Sequence, residues 1–128
     1  VRGLNEEGRT DILIVDDSPT YLEALSGILH KHGHHCTTEQ TGEAGIETAL
    51  KLKPDLILMD VIMPKMSGFQ ATRQLAKNPE TAHIPIVIIS TKGQETDKLW
   101  GLRQGAKDYL VKEVSEQDLI SCINKILS

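Results

Sequence analysis

A doubly wound α/β domain, with five parallel strands alternating with five helices, is the fold this sequence predicts, on three observations. Short apolar runs begin at residues 11, 34, 55, 84 and 108, intervals that each hold one strand, one helix and two turns. Three of these runs, DILIV at 11–15, DLILM at 55–59 and IPIVII at 84–89, are continuous rather than alternating, as in strands covered on both faces. The segments between the runs carry apolar residues at helical spacing, which supplies the crossover that each parallel pair needs.

The elements follow in order. Ten mainly polar residues, VRGLNEEGRT, precede the first strand; they lack apolar periodicity and are expected to be a linker, a processed start or a cloning remnant. In 18–32, Leu22, Leu25, Ile28 and Leu29 form one stripe, with Pro19 suited to the first turn and Gly33 to the stop. The second strand, HHCTT at 34–38, is the weakest of the five because it carries so little apolar surface. Over 43–52 the helical stripe is Ile46, Ala49 and Leu50, closed by Pro54. Phe69, Thr72 and Leu75 mark a third helix after strand 55–59. Leu99 and Leu102 are read as the stripe of a fourth helix, after strand 84–89, that ends at Gly105. Trp100 flanks that stripe and is expected to be partly exposed; Gly101, a poor helix former, is expected to permit close packing. The fifth strand is DYLVK at 108–112. Ser115 with Asp118 then resembles a capping box before a helix carrying Leu119, Ile123, Ile126 and Leu127. No repeat or second domain is visible, and the fold is expected to occupy 11–128.

The 128 residues suit one domain, and 39% hydrophobic with 25% charged residues is ordinary for a soluble chain. With aromatics at 3%, the core must come from Leu, Ile, Val and Ala. A net charge of −4 offers no electrostatic footprint for nucleic acid and no polybasic patch for a membrane surface. No apolar run approaches the ~18 residues of a membrane span, and no secretory signal opens the chain. Cys36 and Cys122 lack metal-type spacing and are expected to be buried free thiols in a reducing cytoplasm.

One stretch resists a purely structural reading. In LILMDVIMP, residues 56–64, four apolar residues run into Asp60, with more apolar residues behind it. A carboxylate beside a core is costly unless something compensates its charge. Asp16 and Asp17 follow the first strand, Ser90 and Thr91 the fourth, and Lys112 closes the fifth. In an open parallel sheet these carboxyl ends share one edge, where ligands bind at the topological switch point. If strands 1 and 3 are neighbours there, Asp16, Asp17 and Asp60 converge and repel. Mg2+, a hard cation that prefers oxygen ligands, resolves that conflict. Asp60 can then act as a nucleophile toward a phosphoryl group, with Lys112 neutralising the transferring oxygens and the Ser90 hydroxyl bonding one of them. Each acid alone has an ordinary explanation, since Asp17-Ser18-Pro19 is a common helix start; five suitable groups at four strand ends do not. The histidines of HKHGHH (His30, His32, His34, His35) could bind metal, but they belong to a turn at the opposite end of the sheet and are expected to be solvated.

The motifs ILIVDDSP, LILMDVIMPKMSG, IPIVIIST and GAKDYLVK resemble those of the receiver domain of bacterial two-component response regulators, over about residues 11–128. TKGQETDKLWGLRQGAKDYL is further similar to the stand-alone, chemotaxis-type regulators of type IV pilus twitching motility, the PilH/PilG-like branch. The resemblance implies a flavodoxin-like sheet of order 2-1-3-4-5. It implies that Asp60 accepts a phosphoryl group from a sensor histidine kinase or a phosphotransfer protein. Asp16, Asp17, Asp60 and the backbone carbonyl of Ile62 would hold Mg2+, and Ser90 and Lys112 would contact the phosphoryl group. Ser90 and Tyr109 would shift together as a switch, biasing a surface of helix 4, strand 5 and helix 5 toward a downstream protein. Such a protein catalyses phosphoryl transfer only to itself.

Two features depart from the pattern. The family usually has Lys-Pro after the fifth strand, joined by a cis bond; here the pair is Lys112-Glu113. A trans bond is expected, because cis without proline costs ~2.5–4 kcal/mol, with Lys112 still reaching the site and Glu113 adding negative charge nearby. Ile62 and Lys92 stand where family members tune attack by water, and neither offers an amide or carboxylate, so slow self-dephosphorylation is expected. Other readings are a haloacid-dehalogenase-like phosphatase, a scaffold or phosphate sink, and a receiver cut from a larger regulator or hybrid kinase. The phosphatase usually has its two acids separated by one residue, whereas Asp16 and Asp17 are adjacent.

Overall fold

The structure, a computed structural model, describes residues 9–128. Its elements are β1 (Thr10–Val15), α1 (Pro19–Lys31), β2 (His34–Glu39), α2 (Gly42–Leu52), β3 (Leu56–Met59), α3 (Gly68–Lys77), β4 (Ile86–Ser90), α4 (Glu95–Gln104), β5 (Asp108–Val111) and α5 (Glu116–Leu127). The N-terminal segment assigned to 1–10 lies largely outside the described residues, and Thr10 already belongs to β1. Five parallel strands pair in the order β2-β1-β3-β4-β5, as the resemblance implied.

Period-two alternation, with both faces covered, explains why residues 12–15, 56–59 and 86–89 are apolar at every position. Ile12, Ile14, Leu56, Leu58, Val87 and Ile89 face one side, where Leu22, Leu25 and Leu29 of α1 and Leu119, Cys122 and Ile123 of α5 cover them. Leu13, Val15, Ile57, Met59 and Ile86 face the other, against Ala49 of α2 and Ala71 and Leu75 of α3. Burying each Leu or Ile stabilises the fold by ~1.5–3 kcal/mol. Cutting one back, as in Leu58→Ala, costs about 2–5 kcal/mol because a cavity remains. The weak second strand is explained by its place: β2 lies at an edge, bonded only to β1.

Local chemistry sets the helix ends. The hydroxyls of Ser18, Thr41, Ser67 and Ser115 accept the N–H groups of Tyr21, Ala44, Gln70 and Asp118, satisfying donors that the first turn leaves open. Gly105 ends α4 with φ 119°, a conformation that glycine adopts without steric cost.

The expectations for the stripe of α4 and for the bond after Lys112 are corrected. Helix α4 exists and stops at Gly105, but Leu99 and Leu102 are not its buried stripe; they are 52% and 46% exposed. The inward positions are Gly101 and Gln104. A Cβ built on Gly101 would lie 2.8 Å from both Ile88 Cδ1 and Tyr109 Cδ2, so glycine lets the helix approach there and turns its leucines outward. The Lys112-Glu113 bond is cis, not trans. The residue preceding it is held from both ends: the Lys112 N–H donates to the Ser90 carbonyl (2.9 Å), and its ammonium donates to Asp16 (2.9 Å). Tertiary contacts of Lys112, rather than the local preference for trans, accompany the observed geometry.

The HKHGHH turn lies at the N-terminal edge of the sheet, since His34 pairs with Thr10. His32 meets Glu116 at 2.9 Å and His35 meets Asp11 at 3.1 Å, while His34 is buried rather than solvated. Cys36 and Cys122 are free thiols, but only Cys122 is buried; Cys36, on the edge strand β2, is half-buried. Among the described residues, no helix is long and apolar enough to cross a membrane.

Candidate functional site

Because all five strands run the same way, their C-terminal ends form one rim, and the polar residues that follow them gather there. β1 and β3 are neighbours, so Asp16 and Asp60 continue adjacent strands; the Asp60 N–H donates to the Val15 carbonyl at 2.9 Å. Asp16, Asp17 and Asp60 bring carboxylate oxygens within 4.8 Å of one another. Asp16 and Asp60 are buried, and Asp17 is exposed at the mouth.

Lys112 reaches this cluster from the end of β5. Its Nζ lies 2.9 Å from Asp16 Oδ2 and 3.5 Å from Asp60 Oδ1, and its side chain is 14% exposed. The other Asp16 oxygen accepts the Ser18 N–H at 2.9 Å, which fixes the carboxylate. Lys112 also sits over the ring of Tyr21, 4.2 Å from its centroid.

Charge balance within the cluster is uneven. Burial first, then the neighbouring Asp16 charge, pushes the Asp60 carboxyl up to about 6, against the opposing pull of Lys112 and the Val61 backbone. Burial alone would lower the Lys112 ammonium, but the bond to Asp16 and the charges of Asp60 and Asp16 outweigh it and hold it above its ordinary value. One ammonium therefore does not fully compensate the carboxylates. An oxygen-seeking divalent cation fits this surplus, since three carboxylates offer it oxygens from one small volume.

Ser90 closes β4 fully buried, and its hydroxyl accepts the Lys92 N–H at 3.1 Å. Tyr109, on β5, is buried, and its hydroxyl donates to the Lys92 carbonyl at 2.6 Å. Thus Ser90 and Tyr109 both hold the backbone of Lys92, in the loop between β4 and α4. The Lys92 side chain extends toward Asp97 (3.8 Å) and the Ile62 side chain is 55% exposed.

Two residues at the site were not singled out from the sequence. Gly68, at the start of α3, donates its N–H to the Val61 carbonyl, and a Cβ there would fall 1.8 Å from the Asp60 carbonyl oxygen. Its place inside a quoted motif was the only available signal. Tyr21 had none, because nothing local relates α1 to the end of β5.

With this geometry in place, the similarities to known proteins become informative. The profile of the response regulator receiver domain matches residues 12–124. Protein PilH of Pseudomonas aeruginosa is 54% identical over 117 residues, covering 91% of this chain and 97% of PilH. Among solved structures, the chemotaxis response regulator CheY4 of Vibrio cholerae superposes with a TM-score of 0.87 at 28% identity, covering 93% of this chain and 99% of CheY4. The receiver domain of a sensor histidine kinase from Pseudomonas aeruginosa PAO1, whose structure carries a magnesium ion coordinated in its active-site cleft, superposes with a TM-score of 0.86. It is 25% identical, with 93% of this chain and 98% of that one covered.

Proposed function

Since this chain belongs to the response regulator receiver domain family, we propose that it is switched by phosphorylation of Asp60. Proteins of this family are signalling proteins rather than enzymes acting on an external substrate. The observation that carries the assignment of Asp60 is the convergence of three carboxylates and one ammonium on the rim of the sheet.

In this reading an Asp60 carboxylate oxygen attacks the phosphorus of a phosphohistidine on a histidine kinase or phosphotransfer protein. The O–P bond forms as the P–N bond breaks, and the imidazole leaves with the electron pair. Lys112 offers its ammonium to the phosphoryl oxygens, and the Ser90 hydroxyl donates to one of them. Asp16, Asp17, Asp60 and the Ile62 carbonyl are the residues that would hold Mg2+, which when bound supplies positive charge against the transferring oxygens. Asp16 and Asp60 are buried beside residues of the core, which keeps bulk water from screening these interactions.

The output follows from the polar bonds around Lys92. A phosphoryl group that accepts the Ser90 O–H draws the side chain toward itself, and that rotation carries the hydroxyl oxygen away from the Lys92 N–H, freeing the β4–α4 loop and Tyr109 to rearrange together. The downstream partner is a protein that docks on α4, β5 and α5. Support for that surface is its exposed apolar patch, with Trp100 50% exposed between Leu99 and Leu102. Residues 10–128, with β1 beginning at Thr10, act as the receiver unit, in the cytoplasm.

Intact-protein mass after incubation with Mg2+ and acetyl phosphate tests the assignment. One phosphoryl group on the parent and none on Asp60→Asn is the expected result. Addition to both, or to neither, overturns Asp60 as acceptor.

A further inference from the structure

The contacts of the Lys112 ammonium contain one partner that the proposed reaction does not use. Two of the three are carboxylates, Asp16 at 2.9 Å and Asp60 at 3.5 Å. Both are altered in that reaction: Asp60 becomes an acyl phosphate, and Asp16 shares its charge with a cation. The third partner is the face of Tyr21, 4.2 Å from Nζ, and nothing in the chemistry consumes it. A lysine carries its charge on a long flexible stem whose ordering costs entropy, so a partner that persists keeps the ammonium in place.

The ring is itself held by the segment that builds the acid pocket. Asp16 Oδ1 accepts the Ser18 N–H at 2.9 Å, and the Ser18 hydroxyl accepts the Tyr21 N–H at 3.2 Å. One short stretch therefore sets both the carboxylate and the ring against the same lysine. The Tyr21 ring also packs beside the core between the sheet and α1, which limits its movement.

We propose that Tyr21 is a positioning residue for Lys112, its ring face holding the ammonium at the acid cluster by a cation–π contact so that the lysine is already in place when a phosphoryl group arrives. The proposal rests on Asp60 being the acceptor, and it assigns to α1 a part in the chemistry as well as in the packing. What matters is the aromatic face, not the hydroxyl, so phenylalanine serves as well as tyrosine and leucine does not.

The first readout is independent of activity. Ring currents displace nuclei lying over an aromatic face, so the Lys112 ε-methylene protons should resonate upfield in the metal-free parent and in Tyr21→Phe, with Lys112→Arg to assign them. In Tyr21→Leu they should return to the ordinary lysine position. The second readout is the rate of phosphoryl uptake from acetyl phosphate at saturating Mg2+. Tyr21→Phe should stay within about twofold of the parent and Tyr21→Leu should slow about 5- to 10-fold, with Mg2+ half-saturation unchanged. Rescue by phenylalanine separates positioning from mere filling of space. If Tyr21→Leu fails to fold by thermal unfolding, Tyr21→Met provides the same comparison. An unshifted ε-methylene in the parent overturns the proposal, as does a folded leucine or methionine variant with parental shift and rate. A parent that takes up no phosphoryl group refutes the functional reading instead, while the ε-methylene shift still decides whether the ring holds Lys112.

Discussion

Replacing the proposed acceptor should make the metal-free protein more stable. Asp60 is 5% exposed and lies within the same small volume as the Asp16 carboxylate, and these two causes push its carboxyl from an ordinary 3.8 up to about 6. A carboxyl whose folded value is raised binds its proton more tightly in the native state. Its ionisation therefore opposes folding: the cost is absent below the unfolded value, grows as pH rises from 3.8 to about 6, and is complete above that. The displacement corresponds to about 3 kcal/mol at neutral pH, taking about 1.4 kcal/mol for each pH unit. Asp60→Asn removes the charge while keeping the shape, and Lys112 keeps its 2.9 Å bond to Asp16, so no buried ammonium is orphaned. The new amide must find its own partner, which leaves a net gain of about 1–3 kcal/mol. Urea unfolding of parent and variant in EDTA reads the difference directly. At pH 7.5 the variant should unfold at higher denaturant, the gap should close as pH approaches 4, and Mg2+ added to the parent should narrow it. A variant less stable at pH 7.5, or a gap that does not change with pH, defeats the argument that Asp60 is held at an energetic cost.

Three further outcomes are expected. Protons and Mg2+ compete for Asp60, so Mg2+ affinity measured by calorimetry should be steady above about pH 7 and fall by roughly tenfold for each pH unit well below 6; affinity independent of pH between 4 and 7 would exclude Asp60 as a ligand. Gly101→Ala places a methyl 2.8 Å from Ile88 and Tyr109. Its overpacking cost of about 1–3 kcal/mol is partly offset by about 1 kcal/mol of helix propensity, so thermal unfolding should show a net loss together with altered near-ultraviolet dichroism. The phosphorylated form should decay slowly, because the Ile62 side chain cannot hydrogen-bond and the Lys92 side chain extends to Asp97. Following the phosphorylated mass over time checks this, with loss in seconds at room temperature as the contrary result and faster decay expected for Ile62→Asn.

How much was legible in the residues differs by element. β1, β3 and β4 could be read because the stretch of each strand that is covered on both faces is apolar at every position, a signal confined to a few consecutive residues. β2 was faint for the complementary reason, since an edge strand bonded only to β1 needs less apolar surface. The stripe of α4 was misread because helical spacing shows which residues share a face but not which face turns inward. Gly101 reverses the usual rule: having no side chain to bury, it lets Ile88 and Tyr109 do the filling. The isomer at Lys112-Glu113 was likewise misread, because local preference is a weak guide where the preceding side chain is bound by Asp16.

Sequence by itself determined the five-unit frame and the placing of Asp16, Asp17, Asp60, Ser90 and Lys112 just at or beyond strand ends, since periodicity and turn chemistry act over a few residues. The 2-1-3-4-5 order entered only through resemblance to a family, and the convergence of the acids depends on that order. Only the tertiary structure decided that Lys112 lies between two carboxylates and a tyrosine ring, that α4 turns its leucines outward, and that Tyr109 and Ser90 grip the same loop. Those facts join residues up to 96 positions apart. Packing of the whole chain, not any local pattern, brings such residues into contact.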